Sequence, residues 1–520
     1  MKKTAAVLLC ICLVTGMLAG CGKTPAAEGE TPEKVDTSAL EGTRIQLSDD
    51  GITVEGDPSA VHTDSDIVYY EQGKDFTYGE GTQADAHSAE EAAAHTVVTI
   101  QKPGQYILSG KLSQGQIAVD LGEDAEDDPD AVVTLVLDGV DITCTVAPAI
   151  IFYNVYECGD KDNAAAQVDT SAAGANVLIA DGSENTVNGS YVARIYKPGT
   201  VELNEDGTEV EDAKKLHKYD AAFYSKMSMN VGGSTGVLNI HAENEGLDSE
   251  LHLTINGGNI NIVSGNDGIN TNEDGVSVTT VNGGKLCILV DGATGEGDGI
   301  DSNGWLVING GTVIAQACSF SGDAGIDSDM GIHINGGTVI ATGNMLDQIA
   351  ESQQNYAVFQ FAGSRKGGEV ELKNAAQETV MQQQIINDFS YLILSSADLA
   401  AGEYALWVDG VQMQGAGTQR MGGFGGGMGF EGLTPPEGME IPEGMERPEG
   451  RTPSEGMEMP EGMERPEGMT PPEGMELPEG MEMPGREPGG RGQFGEGGNL
   501  SGIFAIADGG NYFQSVSAVQ

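Results

Sequence analysis

An internal repeat in the middle of the chain constrains the fold more than any other feature of the sequence. The triplet Asn-Gly-Gly recurs with spacings of 26, 27 and 26 residues, beginning at Asn256, Asn282, Asn309 and Asn335. Each triplet lies between short apolar runs, so each repeat predicts strand, turn and strand. Coils of about 26 residues with three short strands and no helix are typical of a parallel β-helix, whose coils stack about 4.8 Å apart. The sequence therefore predicts an all-β solenoid.

A second motif, resembling Asp-Gly-Ile-Asp-Ser, recurs in step with the first. Its apolar residues are predicted to stack in the core, one in each coil: Leu247, Ile269, Ile300 and Ile326. The asparagines of the triplets are predicted to form a ladder in which each side-chain amide bonds the next. Such ladders are structural, because they satisfy polar groups where every coil turns.

The polar residues of the second motif are predicted to share an outward face, where equivalent carboxylates lie one coil apart. Between residues 227 and 364 there are sixteen Asp or Glu against one basic side chain, Lys285, so protein cations cannot balance this face. Calcium takes six to eight oxygen ligands and could do so. The predicted ligands are Asp248, Asp267, Asn270, Asp298, Asp301, Asp323 and Asp327. The alternative is a solvated acidic face that keeps the solenoid soluble.

Charge and cysteine content exclude several classes of protein. With 80 Asp and Glu against 25 Lys and Arg, the net charge is -55, so nucleic acid is not an expected partner. Apolar residues make up 39% of the chain and charged residues only 20%, which argues against a disordered acidic polymer. The cysteines after Cys21 are too few and too irregularly spaced for a disulfide framework or a zinc site.

The N-terminus has the pattern of a bacterial lipoprotein signal. Two lysines precede a short apolar run and the tetrapeptide Leu-Ala-Gly-Cys, which ends at Cys21. We predict a signal peptide at residues 1–20, lipid attachment at Cys21 and a flexible tether at 21–60, with a cleaved secretory signal as the alternative. The protein is therefore expected outside the cell, held on the membrane through Cys21.

The remainder of the chain divides into four predicted parts. Residues 61–362 form the solenoid. Residues 363–416 form a small α+β cap with a short helix from Asn374 to about Asn387. Residues 417–497 repeat Pro-Glu-Gly-Met-Glu about every six residues and predict a disordered linker, while residues 498–520 predict returning strands.

Several short stretches, in this order, resemble the bacterial carbohydrate-binding-domain lipoproteins. They are the Leu-Ala-Gly-Cys tetrapeptide and residues 104–110, 133–142, 183–186 and 222–226, together with the repeated coils. The resemblance covers about residues 60–416 and the last twenty. It implies a right-handed parallel β-helix, shaped like a pectate lyase, that binds calcium and acidic or cellulosic plant polysaccharide. Residues 123–130, 157–173 and 202–218 and the hexapeptides depart from the family pattern.

These observations favour calcium-dependent polysaccharide binding by a monomer, without catalysis and with no catalytic residue assigned. A lyase needs a base, and Lys285 is the one basic residue on the regular coils, away from the acidic column. A hydrolase could use carboxyl pairs among Asp298, Asp301, Asp323 and Asp327, so a polysaccharide-degrading enzyme is the first alternative. A structural adhesin or wall spacer is the second. Sugar stacking is predicted at Trp305 and Tyr224, with a core position for Trp305 left open.

Overall fold

The computed structural model describes residues 37–418 and 500–519. The chain divides into one unit of residues 1–422 with 496–520 and another of residues 423–495. The second unit lies outside the described residues, as do the predicted signal peptide, Cys21 and nearly all of the hexapeptide tract. In the described part, no helix is both long and apolar enough to cross a membrane.

The N-terminal half of the fold is built from twelve strands. They are β1 (Thr43–Leu47), β2 (Thr53–Glu55), β3 (Val61–Asp64), β4 (Thr96–Ile100), β5 (Gly104–Leu112), β6 (Gly115–Asp120), β7 (Val133–Thr143), β8 (Ile150–Asn154), β9 (Ala175–Ile179), β10 (Glu184–Gly189), β11 (Glu202–Leu203) and β12 (Val210–Asp212). Its helices are the 3-10 turns Thr37–Ala39, Pro58–Ala60 and Glu123–Asp127 and the single α-helical turn α1 (Ala89–Ala93). Ser88 caps α1 by accepting a hydrogen bond from the Glu91 amide.

The repeated coils contribute fifteen further strands. They are β13 (Ala221–Ser225), β14 (Met229–Gly233), β15 (Val237–Ala242), β16 (Glu245–Ser249), β17 (His252–Ile255), β18 (Asn259–Ser264), β19 (Ile269–Thr271), β20 (Val278–Val281), β21 (Lys285–Val290), β22 (Ile300–Ser302), β23 (Trp305–Ile308), β24 (Thr312–Gln316), β25 (Gly331–Ile334), β26 (Thr338–Gly343) and β27 (Ile349–Ser352).

These strands pair in parallel from coil to coil and form three stacks. The first stack is β4, β6, β8, β13, β16, β19 and β22. The second stack is β9, β14, β17, β20, β23, β25 and β27. The third stack is β10, β15, β18, β21, β24 and β26. The prediction of an all-β fold is confirmed.

The core forms because alternate residues of every strand point inward. In β18, Ile260 and Ile262 are buried, while Asn259 and Asn261, which alternate with them, are partly exposed. Residues in register with Ile260 in the third stack are buried on every coil, namely Leu238, Leu286, Val313 and Val339. The predicted core row of the first stack is also confirmed, since Leu247, Ile269, Ile300 and Ile326 are all 0% exposed.

The predicted asparagine ladder is confirmed along its whole length. Asn282 Nδ2 donates to Asn256 Oδ1, Asn309 Nδ2 to Asn282 Oδ1 and Asn335 Nδ2 to Asn309 Oδ1, each at 2.9 Å. Gln353 Nε2 continues the series with a bond of 3.2 Å to Asn335 Oδ1. Each such bond contributes about 1 kcal/mol net, so the ladder fixes the register between coils at modest energy.

The last glycine of each triplet has a left-handed backbone, and substituting it should be costly. Gly311 has φ +78°, and a Cβ there would lie 2.7 Å from the Gly284 carbonyl oxygen of the previous coil. Gly311→Ala should therefore destabilise the protein by about 3 kcal/mol, measured by chemical unfolding. Gly322→Ala is the control, since no atom lies within 4 Å of the added Cβ. Equal losses in both variants would contradict this account.

Eight strands follow the coils and pack around a second core. They are β28 (Tyr356–Arg365), β29 (Glu369–Asn374), β30 (Thr379–Gln384), β31 (Phe389–Ser396), β32 (Gly402–Val408), β33 (Val411–Thr418), β34 (Phe504–Ile506) and β35 (Gly510–Ala518). Phe359, Phe389, Phe504 and Phe513 are among the buried side chains of this core. The strand β31 pairs antiparallel with β26 and so covers the last strand of the third stack.

The prediction of an α+β cap with a helix from Asn374 is wrong. Residues 369–384 form the antiparallel hairpin of β29 and β30. Asn374 Oδ1 accepts hydrogen bonds from the backbone amides of Ala376 at 2.9 Å and Glu378 at 3.0 Å, and Gln377 has φ +66°. Asn can cap a tight turn as well as a helix, and here the chain reverses.

The predicted tether also ends earlier than expected. The strand β1 pairs in parallel with β5, and Ile45 and Leu47 are buried in the main core. Residues 43–60 therefore belong to the folded body, because β1 alternates buried and more exposed positions like the strands that follow it.

Candidate functional site

The second repeated motif lies on the first stack and brings its polar residues into register. Asp248 pairs with Asn270, and Asn270 pairs with Asp301, on three successive coils. We use the term acidic row for the polar side chains of this motif, Glu245, Asp248, Asp267, Asn270, Asp298, Asp301 and Asp327. The row contains six of the seven predicted calcium ligands. Asp323, the seventh, lies in the loop before Asp327.

Three buried oxygen atoms at one end of the acidic row accept no hydrogen bond from an amide or a hydroxyl group, although the carboxyl groups of Glu245 and Asp248 interact with each other. They are Glu245 Oε2, Asp248 Oδ2 and Asn270 Oδ1, and their residues are 6%, 0% and 8% exposed. The available amide hydrogens go elsewhere, since Asn270 Nδ2 donates to Glu245 Oε1 at 3.2 Å. Asn272 Nδ2 donates to Asp248 Oδ1 at 2.7 Å. Such unpaired buried acceptors are costly, so this end of the row fits a missing proton or cation.

Burial of the acidic row contradicts one part of the prediction. Asp248 and Asn270 were expected on an outward, solvated face, but both are buried. This burial raises the pKa of Asp248, and repulsion from Glu250 and Asp220 raises it further. Asp301 and Asp327, further along, are half-buried, so solvent reaches the row there.

Burial and mutual repulsion raise the pKa of every carboxyl group of the acidic row. The pKa values of Glu245 and Asp248 lie well above their usual range, chiefly because of desolvation. Desolvation, followed by other causes that include neighbouring carboxylates, raises the pKa of Asp298 to about 10 and those of Asp267, Asp301 and Asp327 to about 7. The row at neutral pH therefore holds protons that a cation could replace.

Three carboxylates bind backbone amides of neighbouring segments. Asp267 Oδ1 accepts a hydrogen bond from the Asp298 amide at 2.6 Å, and Asp298 Oδ1 accepts one from the Ala324 amide at 2.5 Å. Asp323 Oδ2 accepts one from the Gly297 amide at 2.6 Å and also binds the Ser321 hydroxyl. These bonds join successive coils, and each leaves the carboxylate with further acceptor sites for a ligand.

The basic residues near the acidic row come from the segment that precedes β13. Arg194 Nη2 lies 3.2 Å from Asp220 Oδ2, and the Arg194 charge also interacts with Glu245. Lys218 interacts with Asp220 and Glu250. Lys285 lies on the third stack, paired with Asn259 and Thr312, and thus away from the row.

The two predicted sugar-stacking aromatics have different positions. Tyr224 is 0% exposed, its hydroxyl donates to Glu250 Oε1, and its ring packs edge-on against Tyr219. The prediction that Tyr224 stacks on a sugar is therefore wrong, because the chain buries it in β13. Trp305 is half-buried on the second stack, between Val278 and Gly331.

Sequence reasoning missed Glu245, although the repeat contained the signal. Glu245-Gly246-Leu247-Asp248 aligns with Asp267-Gly268-Ile269-Asn270, so Glu245 occupies the position of Asp267 one coil earlier. In residues 37–418 and 500–519, no group of three or more His, Cys, Asp or Glu side chains is arranged to hold a metal ion. An ion in the row would therefore need amide or backbone oxygens beside its carboxylates.

Comparisons with known proteins agree on one family. The family model of the carbohydrate-binding domain-containing proteins matches residues 94–387. A carbohydrate-binding domain-containing protein of Acetivibrio thermocellus is 31% identical over 166 residues, which are 32% of this chain and 44% of that relative. The chain thus matches less than half of the relative's length.

A solved structure of the polysaccharide lyase-like protein from C. thermocellum, a gadolinium derivative, aligns with 60% of this chain and 99% of its own, at 21% identity and a TM-score of 0.33. That similarity is too low to support an argument about this site. The family match spans more than half of the sequence, and the all-β coils that it covers carry both repeated motifs. The chain therefore belongs to the family of carbohydrate-binding domain-containing proteins.

Proposed function

We propose that this protein binds extracellular polysaccharide in a calcium-dependent manner, without catalysis, on a right-handed parallel β-helix anchored to the membrane through Cys21. The preferred glycan is acidic, such as polygalacturonate, or cellulosic. Family membership supports the carbohydrate. The unpaired oxygens of Glu245, Asp248 and Asn270 are the observation that supports the cation.

Electrostatics indicates why the acidic row favours a divalent ion. Two carboxylates one coil apart repel by roughly 0.9 kcal/mol in water and roughly 3.5 kcal/mol at an effective dielectric constant of 20. Desolvation raises the pKa of both Glu245 and Asp248, and repulsion raises them further, from Asp248 at Glu245 and from Glu250 at Asp248. Calcium prefers carboxylate and amide oxygens, which are the donor atoms left without partners here.

Different residues of the acidic row would hold the ion and contact the glycan. Glu245, Asp248 and Asn270 offer ligands at the buried end, and Asn272 orients the Asp248 carboxylate through its bond to Oδ1. Asp301 and Asp327 form the end that solvent reaches. A bound calcium ion would neutralise the row and offer coordination positions to a uronate carboxylate, which this acidic protein would otherwise repel.

The test is a calorimetric titration of the full-length chain with calcium, then with oligogalacturonate and cello-oligosaccharide, with and without chelator. We expect saturable calcium binding, proton release near neutral pH and oligogalacturonate binding that chelator abolishes. The proton release follows from carboxyl pKa values of about 7 at Asp267, Asp301 and Asp327. Equal oligogalacturonate binding in chelator would exclude calcium dependence.

One observation favours an alternative function, a carboxylate-based hydrolase. Asp298, with a pKa of about 10, would stay protonated as a general acid, and Asp301, with a pKa of about 7, could act as a base. The same titrated samples distinguish the two functions by an assay of released reducing ends. Unsaturated products would instead indicate a lyase.

A further inference from the structure

A polar groove lies on the second stack, separate from the acidic row. Its floor is the outward-facing row of Thr254, Thr280 and Val307, which are in register on three successive coils. One wall is the asparagine ladder at Asn256, Asn282 and Asn309, and the other is the segment 166–171. The groove encloses about 540 Å³, within the range of about 300–1,000 Å³ that is usual for ligand sites.

The wall formed by residues 166–171 is fixed to the stack at one end. Thr170 Oγ1 lies 2.8 Å from both Asn230 Oδ1 and Thr254 Oγ1. Asn230 Nδ2 donates to the Thr170 carbonyl at 2.7 Å and to Asn176 Oδ1 at 3.0 Å. This wall belongs to residues 157–173, one of the stretches expected to depart from the pattern of the family. The groove therefore depends on a segment outside the repeated coils.

The groove offers hydrogen-bonding groups that repeat along the stack. Asn282 and Asn309 each use one amide hydrogen for the preceding asparagine of the ladder, which leaves a second hydrogen on the same nitrogen. The Thr280 hydroxyl faces the groove between Thr254 and Val307. Because coils are about 4.8 Å apart, an extended polysaccharide lying along the stack would encounter an asparagine amide on every coil.

The lining also selects against other ligand classes. It is made of amide, hydroxyl and small apolar side chains, and Asp169 is its one charged residue. A polyanion would meet a carboxylate and no cation there. A purely apolar ligand would leave the amides and hydroxyls unpaired. Hydroxyl groups, which both donate and accept, match this lining best.

We propose that this groove binds a neutral, extended polysaccharide chain that lies along the stack, independently of calcium. The proposal rests on the carbohydrate binding proposed above and gives it a second site with its own ligand class. Trp305 lies two residues before Val307 in β23 and so on the same face, half-buried. Trp305 is not among the residues that line the groove.

The test uses the full-length chain in chelator, titrated with cellohexaose and mannohexaose as neutral extended probes and with maltohexaose as a neutral curved one. We expect the extended probes to bind and maltohexaose to bind at least tenfold more weakly. Thr280→Val should weaken extended-probe binding about tenfold, since one hydroxyl is lost. Thr280→Met, which fills the groove, should abolish it. Thr312→Val, at an outward position of β24 on the third stack, should leave it unchanged.

Several outcomes would overturn the proposal. These are no binding of either extended probe in chelator, unchanged affinity in Thr280→Val, or equal binding of maltohexaose. Hexagalacturonate titrated with calcium reports separately on the acidic row. If hexagalacturonate binds and the extended probes do not, the groove assignment fails and the proposed function stands. If only the neutral probes bind, calcium-dependent binding fails and the groove stands.

Discussion

In chelator at about pH 8, Asp248→Asn should unfold at a higher temperature than the wild-type protein and should lose most of the stabilisation by calcium. Asp248 is fully buried, with Oδ2 unpaired and other carboxylates nearby. The substitution keeps the shape, removes an acid whose charged form is disfavoured by burial, and provides an amide donor for an acceptor such as Glu245. We expect a gain of about 1–3 kcal/mol without calcium.

The loss of the calcium effect is the more specific part of this prediction. A ligand at a hundred times its Kd stabilises the folded state by about 2.7 kcal/mol, which scanning calorimetry detects. Asp50→Asn removes an exposed carboxylate far from the acidic row and should match the wild-type protein in both conditions. If Asp248→Asn keeps the full calcium shift, the ion does not use Asp248.

The second large effect is a pH dependence that calcium removes. Burial and neighbouring acids raise the pKa of Asp301 from 3.8 to about 7. The folded protein therefore holds a proton that the unfolded chain releases above about pH 4. Its stabilising contribution is complete below that pH and is lost as the pH rises to about 7. A difference of about three pKa units corresponds to about 4 kcal/mol.

The measurement compares the wild-type protein with Asp301→Asn, so that the titration of other carboxylates cancels. In chelator, the unfolding free energy of the variant relative to the wild type should increase between about pH 4 and about pH 7. Saturating calcium should abolish that trend, because the ion then replaces the protons. A constant difference in chelator would show that Asp301 has an ordinary pKa in the folded protein.

Periodicity made the regular part of the fold predictable. A repeat of 26 or 27 residues fixes which positions meet on neighbouring coils, so the asparagine ladder and the core row at Ile269 and Ile300 followed directly. The same alignment brought Asp248, Asn270 and Asp301 together. It also contained Glu245, which was overlooked because Glu replaces Asp in that coil.

Features that depend on non-repeating segments were not predictable in the same way. The raised pKa of Asp248 depends in part on Asp220, which lies outside the repeated motifs, and Arg194 reaches the row from the segment before β13. The groove requires residues 166–171, whose course no pattern specifies. Asn374 gave a signal shared by helix caps and tight turns, and only the pairing of β29 with β30 decides between them.

The strand pairing around the hexapeptide tract has a consequence for protein engineering. Gly415 and Ser501 exchange both backbone hydrogen bonds at 2.9 Å, so the described segments before and after the hexapeptide tract meet at adjacent points of one sheet. Such a junction tolerates changes of length, since closing a longer loop costs only about 0.6 kcal/mol for each doubling. A reporter domain spliced between these two strands should therefore leave the coils able to bind their glycan.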